Sequence, residues 1–143
     1  MIELKKVILI IIVISFFSTG MAVYADGRVE IFDIKQEQVI KSTEMNDTIK
    51  KEALKLTDGI TGMCMRFRPV PGNGYMIGIP IEPGEKSCNK WLNCTIKRLI
   101  LMIPEKENMI LGVFDEKGRV LFFYVKDAAR LLKKLRFSLP PPY

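Results

Sequence analysis

Three strand-length apolar runs near the C-terminus constrain the fold more than any other feature of this chain. Thr95 to Ile103 turns wholly apolar from Leu99. Met109 to Phe114 follows after a turn at 104–108, and Arg119 to Val125 after Asp115-Glu116-Lys117-Gly118. That last connection, with glycine late in the loop, suits a β-hairpin. Side chains along each strand alternate between faces. Leu111 and Val113 therefore point away from Ile110 and Phe114, and Val120, Phe122 and Tyr124 away from Leu121, Phe123 and Val125. Both faces are apolar, so the sheet needs cover on both sides. Either two helices each cover one face, or both share a face and the other meets a partner chain.

The remaining segments supply those helices and more strands. Val29 to Ile40 is a long, mostly extended segment. Ser42 and Thr43 offer an N-cap for a first helix. Met45, Ile49, Ala53, Leu56 and Ile60 form its apolar stripe, and Gly59 its stop. Met63, Met65 and Phe67 alternate with Cys64, Arg66 and Arg68, which predicts a strand with the two methionines in the core. Pro69 to Gly74 is a loop, and Tyr75, Ile77 and Ile79 form a short strand closed by Pro80. Glu82 begins a polar loop that holds Cys88, Trp91 and Cys94. Asp127 caps a second helix with Ala128, Leu131, Leu132 and Leu135 on its apolar face. The expected fold is α+β, a single small domain with a mostly antiparallel sheet of five to six strands and two helices, in the order β-α-β-β-β-β-β-α.

The first 25 residues are of a different kind. Lys5 and Lys6 precede an unbroken aliphatic run from Val7 to Ile14, and Val23-Tyr24-Ala25 stands before Asp26. This is the pattern of a signal peptide cleaved after Ala25. The expected organisation is a leader over 1–25, one α+β domain over 26–136 and a proline-rich tail over 137–143, in a secreted or extracytoplasmic protein. The alternative is an uncleaved anchor, since 7–25 approaches the length that spans a bilayer.

Composition then removes chemistries. The 143 residues include no histidine, so no Ser-His or Cys-His pair, imidazole acid–base group or histidine-ligated zinc site can be built. No cofactor motif is present. Cys88 and Cys94, six residues apart outside the cytoplasm, suggest a disulfide that fixes Trp91. Cys64, without histidine, is a strand residue rather than a nucleophile. Met63-Cys64-Met65 resembles a soft-metal cluster, but alternation along a strand keeps the three sulfurs from converging. Glu82 and Glu85 form a carboxylate pair within one turn, best read as solvated loop charges.

The function expected from these residues is an exported, non-catalytic binding or interaction module. Its expected contact residues are Arg66 and Arg68 on one strand face, Asn73 and Tyr75 by the first loop, and Trp91 in the second. The net charge of +6 favours anionic partners. A basic surface built from Arg66, Arg68, Lys97, Arg98 and the Lys126–Arg136 helix would meet an anionic envelope polymer or lipid surface, and the doubly apolar hairpin a protein partner or a second copy. Nucleic acid is not expected, because aromatic and basic residues do not interleave. The alternatives are a hydrolase or transferase acting on envelope polymers through carboxylates or Cys64, and a membrane-anchored accessory subunit.

Overall fold

The computed structural model describes residues 3–6, 27–65 and 69–141. The aliphatic run of the leader, its cleavage junction, Arg66, Arg68 and the last two residues of the tail lie outside the described residues. Among the described residues, no helix is long and apolar enough to cross a membrane.

Seven strands are described, all paired antiparallel in one sheet. They are β1 (Arg28–Asp33), β2 (Gln38–Glu44), β3 (Ile60–Met63), β4 (Tyr75–Cys88), β5 (Asn93–Ile103), β6 (Met109–Asp115) and β7 (Val120–Val125). Helix α1 (Asp47–Lys55) runs into a 3-10 turn, Leu56–Gly59, between β2 and β3, and α2 (Ala129–Lys134) follows β7. The sheet order is β2-β1-β4-β5-β6-β7-β3. The α+β class holds, with one strand more than expected and the order β-β-α-β-β-β-β-β-α.

The extra strand comes from the extended segment 29–40, which folds back on itself. Asp33 Oδ1 accepts the Gln36 N–H at 3.0 Å, and Glu37 takes a positive φ of 57°. This makes a turn without glycine, proline or asparagine. Ser42 and Thr43 belong to β2, paired with Glu30 and Val29. The N-cap of α1 is Asn46 instead, whose Oδ1 accepts the Ile49 N–H at 2.8 Å. Beyond Pro80, β4 does not end. A register shift between Pro80 and Glu85 absorbs the Pro83-Gly84 segment, and pairing with β5 resumes to Cys88 opposite Asn93.

Both helices pack on the same face. There Ile49, Ala53 and Leu56 of α1 and its 3-10 extension, with Ala128, Leu131 and Leu135 around α2, cover Ile31, Ile79, Leu99, Leu101, Leu111 and Phe123 of the sheet. The predicted stripe of α2 and the two-sided 109–125 hairpin are therefore as observed, while the first stripe is helical only at Ile49 and Ala53: Met45 precedes α1, Leu56 lies in the 3-10 turn and Ile60 opens β3. The opposite face is not left open. Met76, Ile100, Met102 and Ile110 form a second core with Phe32, and Ile34, Cys64 and Val70 from irregular chain pack onto it. The Cys64 N–H donates to the Phe122 carbonyl at 2.9 Å. The expectation at 63–65 is corrected here: the strand stops at Met63, Cys64 turns inward, and Met63 and Met65 are exposed, Met65 by 82%.

Candidate functional site

The hairpin tips at one end of the sheet bring together the most distinctive set of side chains. Asn89 builds the first tip. Its Oδ1 accepts the N–H groups of Trp91 at 2.7 Å and Leu92 at 2.9 Å, and its Nδ2 donates to the Thr57 carbonyl at 3.2 Å. Buried Leu92 anchors the loop, which leaves Trp91 half-buried and edge-on to Phe123, with ring centroids 6.5 Å apart. The Lys90 ammonium sits 5.1 Å from the centre of the indole ring.

Asp115 builds the second tip. Its Oδ1 accepts the N–H groups of Lys117 and Arg119, each at 2.9 Å, and its Oδ2 accepts from Arg119 Nε at 2.7 Å. Burial pushes the Asp115 carboxyl up. The hydrogen bonds from Arg119 and Lys117 and the Arg119 charge outweigh it, leaving the carboxyl below its usual range. Glu116 ties the tips together, because its Oε2 accepts the Thr95 N–H at 2.9 Å. The Arg119 side chain is thereby held by its Nε while remaining 62% exposed.

Between the tips lies a shallow pocket of about 120 Å³, lined by Trp91, Cys94, Asp115, Arg119 and Leu121. Leu121 is 43% exposed. Burial, then Asp115 and Glu116, pushes the Cys94 thiol up against the opposing pull of Arg119, so at neutral pH it is a neutral thiol and a poor nucleophile. The expected Cys88–Cys94 bridge is not formed. Both thiols are free, and the register pairs Cys88 with Asn93 and Cys94 with Ser87, which sends the two side chains to opposite faces.

Of the described residues singled out from the sequence, Trp91 and Cys94 lie here. Asn73 and Tyr75 stand at the far end of β4, about 33 Å away along the sheet, since Tyr75 pairs with Ile103 and Cys88 with Asn93, ten residues apart on β5 at roughly 3.3 Å each. Asn73 Oδ1 accepts the Glu105 N–H at 3.2 Å, and the Tyr75 ring meets Phe137 edge-on at 5.1 Å. Burial, then the carboxylates of Asp33 and Glu105, raises the Tyr75 hydroxyl pKa. Both residues close that end of the sheet. Arg98 does not join a basic surface either. It is largely buried on β5, and desolvation lowers its pKa to about 10. Glu85 ion-pairs with Lys50 at 3.1 Å, and Lys50 also reaches the Pro83 carbonyl at 3.2 Å, so this glutamate ties the β4 irregularity to α1. Among the described residues, no group of three or more Cys, Asp or Glu side chains converges as a metal site.

Sequence reasoning missed Asn89, Asp115 and Arg119. The available signal was local. An Asn two residues before Trp91, and an Asp opening the turn four residues before Arg119, are both side chains that hydrogen-bond nearby backbone. No family model, curated protein or solved structure matches the chain.

Proposed function

We propose that the protein is an exported, non-catalytic interaction module that meets a protein partner through the Trp91 end of its sheet. One observation carries this reading: a half-buried tryptophan, a pinned but exposed guanidinium and an exposed leucine surround a pocket of only about 120 Å³. Enclosed small-molecule sites usually measure about 300–1,000 Å³. This pocket fits one side chain of a larger partner, and Trp and Arg are the residue types that most often anchor such contacts. The carboxylate reading has less behind it, since Glu85 is engaged with Lys50. A nucleophilic Cys64 is disfavoured by its burial against the second core.

A photo-crosslinking residue at Leu121 in the producing cell tests the proposal. A discrete adduct is expected, lost on Trp91→Ala and absent when the crosslinker is placed at Lys41. An adduct indifferent to Trp91, or none at all, refutes it. The mass of the adduct separates a second copy of this chain from another protein. Mass spectrometry of the mature form tests export, with an N-terminus at Asp26 as the expected result.

A further inference from the structure

Among the described residues, the net positive charge of the domain lies in one layer. Segments 47–59 and 126–136, which make up α1, its 3-10 turn and α2 with its flanks, carry eight Lys or Arg against four Asp or Glu. The rest of the described domain, from residue 27 onward, carries ten of each. The clefts within the layer are close to balanced. Between α1 and β4, Lys51, Lys55 and Lys86 face Asp58 and Glu85. Between α1 and α2, Lys55 and Arg130 face Glu52 and Asp127. The excess sits on the outer surface of the α2 segment. Lys126, Arg130, Lys133 and Lys134 recur at intervals of four, three and one, opposite buried Ala128, Leu131 and Leu135, and all four are exposed, as is Arg136. Asp127 is the one carboxylate within that segment, and its Oδ1 is already bonded to the Ala129 N–H at 2.8 Å. Lys41 joins the patch from β2, its ammonium donating to the Arg136 carbonyl at 2.7 Å.

We infer that the outer face of α2 docks on the surface of a bilayer rich in acidic lipids. Shape and charge together select this partner. A linear polyanion seeks a strongly positive groove, and the grooves here carry a net charge of one or none, against a net four on the α2 segment. An exposed cationic helix face outside any cleft matches an array of phosphate headgroups, to which each nearby Lys or Arg adds a comparable increment of attraction. The inference rests on the interaction-module reading and gives it an orientation. The 129–137 segment reaches the Tyr75 end of the sheet through Phe137, whereas Trp91 stands at the opposite hairpin tips. A domain held to a membrane by α2 leaves its Trp91 tips toward the other end of the sheet from the Phe137 contact, clear of the α2 patch.

The test uses the processed protein as the producing cell exports it, mixed with phosphatidylcholine vesicles with and without phosphatidylglycerol. Binding is expected only to the acidic vesicles. It should fall steeply as salt rises from about 0.01 M to about 1 M, where the Debye length shrinks from about 30 to about 3 Å. The triple change Arg130→Gln, Lys133→Gln, Lys134→Gln should weaken binding about 100-fold, at roughly fivefold per charge. Lys51→Gln with Lys86→Gln, in the near-neutral α1–β4 cleft, should change it less than about twofold. Equal binding to both vesicle types, or a triple variant within twofold of the wild type, overturns the inference. So does stronger binding to soluble polyphosphate that depends on Lys51 and Lys86, which would indicate a polymer. Trp91→Ala is expected to leave vesicle binding intact and the triple variant to leave the Leu121 crosslink intact, so the two proposals fail separately.

Discussion

The two faces of the sheet are buried by different means. Over the first, α1 and α2 lay regular helices with interlocking stripes, and Phe123, Leu99 and Leu101 beneath them are almost wholly shielded from water. Over the second, cover comes from irregular chain at Cys64, Val70 and Ile34 and from the sheet's own aromatic rings. Phe122 leans over Gly112, where a Cβ atom would stand 3.1 Å from its ring. A residue under a helix pair is fixed by its neighbours and cannot relax when one is removed, whereas one under an irregular segment can, because that segment has fewer regular hydrogen bonds to lose when it shifts. Burial alone therefore does not rank the two faces.

The largest effects should separate them directly. Phe123→Ala, on the helix-covered face, is expected to lower stability by about 3–5 kcal/mol in urea unfolding. Met102→Ala, equally buried on the other face, should cost about 2–3 kcal/mol, the low end for such truncations, because the irregular cover settles into the space. Equal losses would show the second face to be as rigid as the first.

Gly74→Ala comes next and tests the point where chain from the second face enters β4. Gly74 has a φ of +94°, and an added Cβ would clash with the Ile103 carbonyl oxygen. A non-glycine residue in such a conformation costs about 1–3 kcal/mol before any clash, so a loss of about 3 kcal/mol or more is expected. Asn46→Ala is smaller. It removes the α1 cap from the first face, and a loss of about 1 kcal/mol in the same unfolding assay is expected, with Asn46→Asp retaining most of the stability. A neutral Asn46→Ala would mean that packing alone holds α1 in place.

These contrasts follow what the sequence makes visible. Strands β5 to β7 and both helices are legible because long apolar periodicities survive any tertiary context. The β1–β2 turn is not. Its signal is one Asp33 carboxylate and a positive φ at Glu37, in a stretch that composition marks as extended. Ser42 and Thr43 read as caps from the sequence, and their pairing with β1 instead leaves the task to Asn46. Pro80, Pro83 and Gly84 predict the end of a strand, yet β4 continues because β5 lies alongside to re-establish register. The candidate site divides in the same way. Trp91 is conspicuous by residue type, while Arg119 acquires its meaning only when two hairpin tips meet in space.

The smallest expected effect probes that meeting directly. Asp115 is nearly buried, and its carboxyl lies below its usual range because Arg119 and backbone N–H groups hold the charged form. A folded-state pKa below the unfolded value, about 3.9, means that the charged carboxylate contributes stability above that pH and loses it as pH falls through the folded value. Arg119→Ala removes the guanidinium but leaves the burial that pushes the carboxyl up. The Asp115 carboxyl should then titrate at higher pH by carbon-13 NMR, and the acid limb of unfolding should begin at higher pH. The first face lies beneath this tip through Trp91 and Phe123, so the thermal midpoint at neutral pH should change little if Asp115 keeps its bonds to Lys117 and Arg119 N–H. An unmoved titration would mean that the turn backbone alone holds the carboxylate, and that Arg119 is free to swing toward whatever partner Trp91 meets.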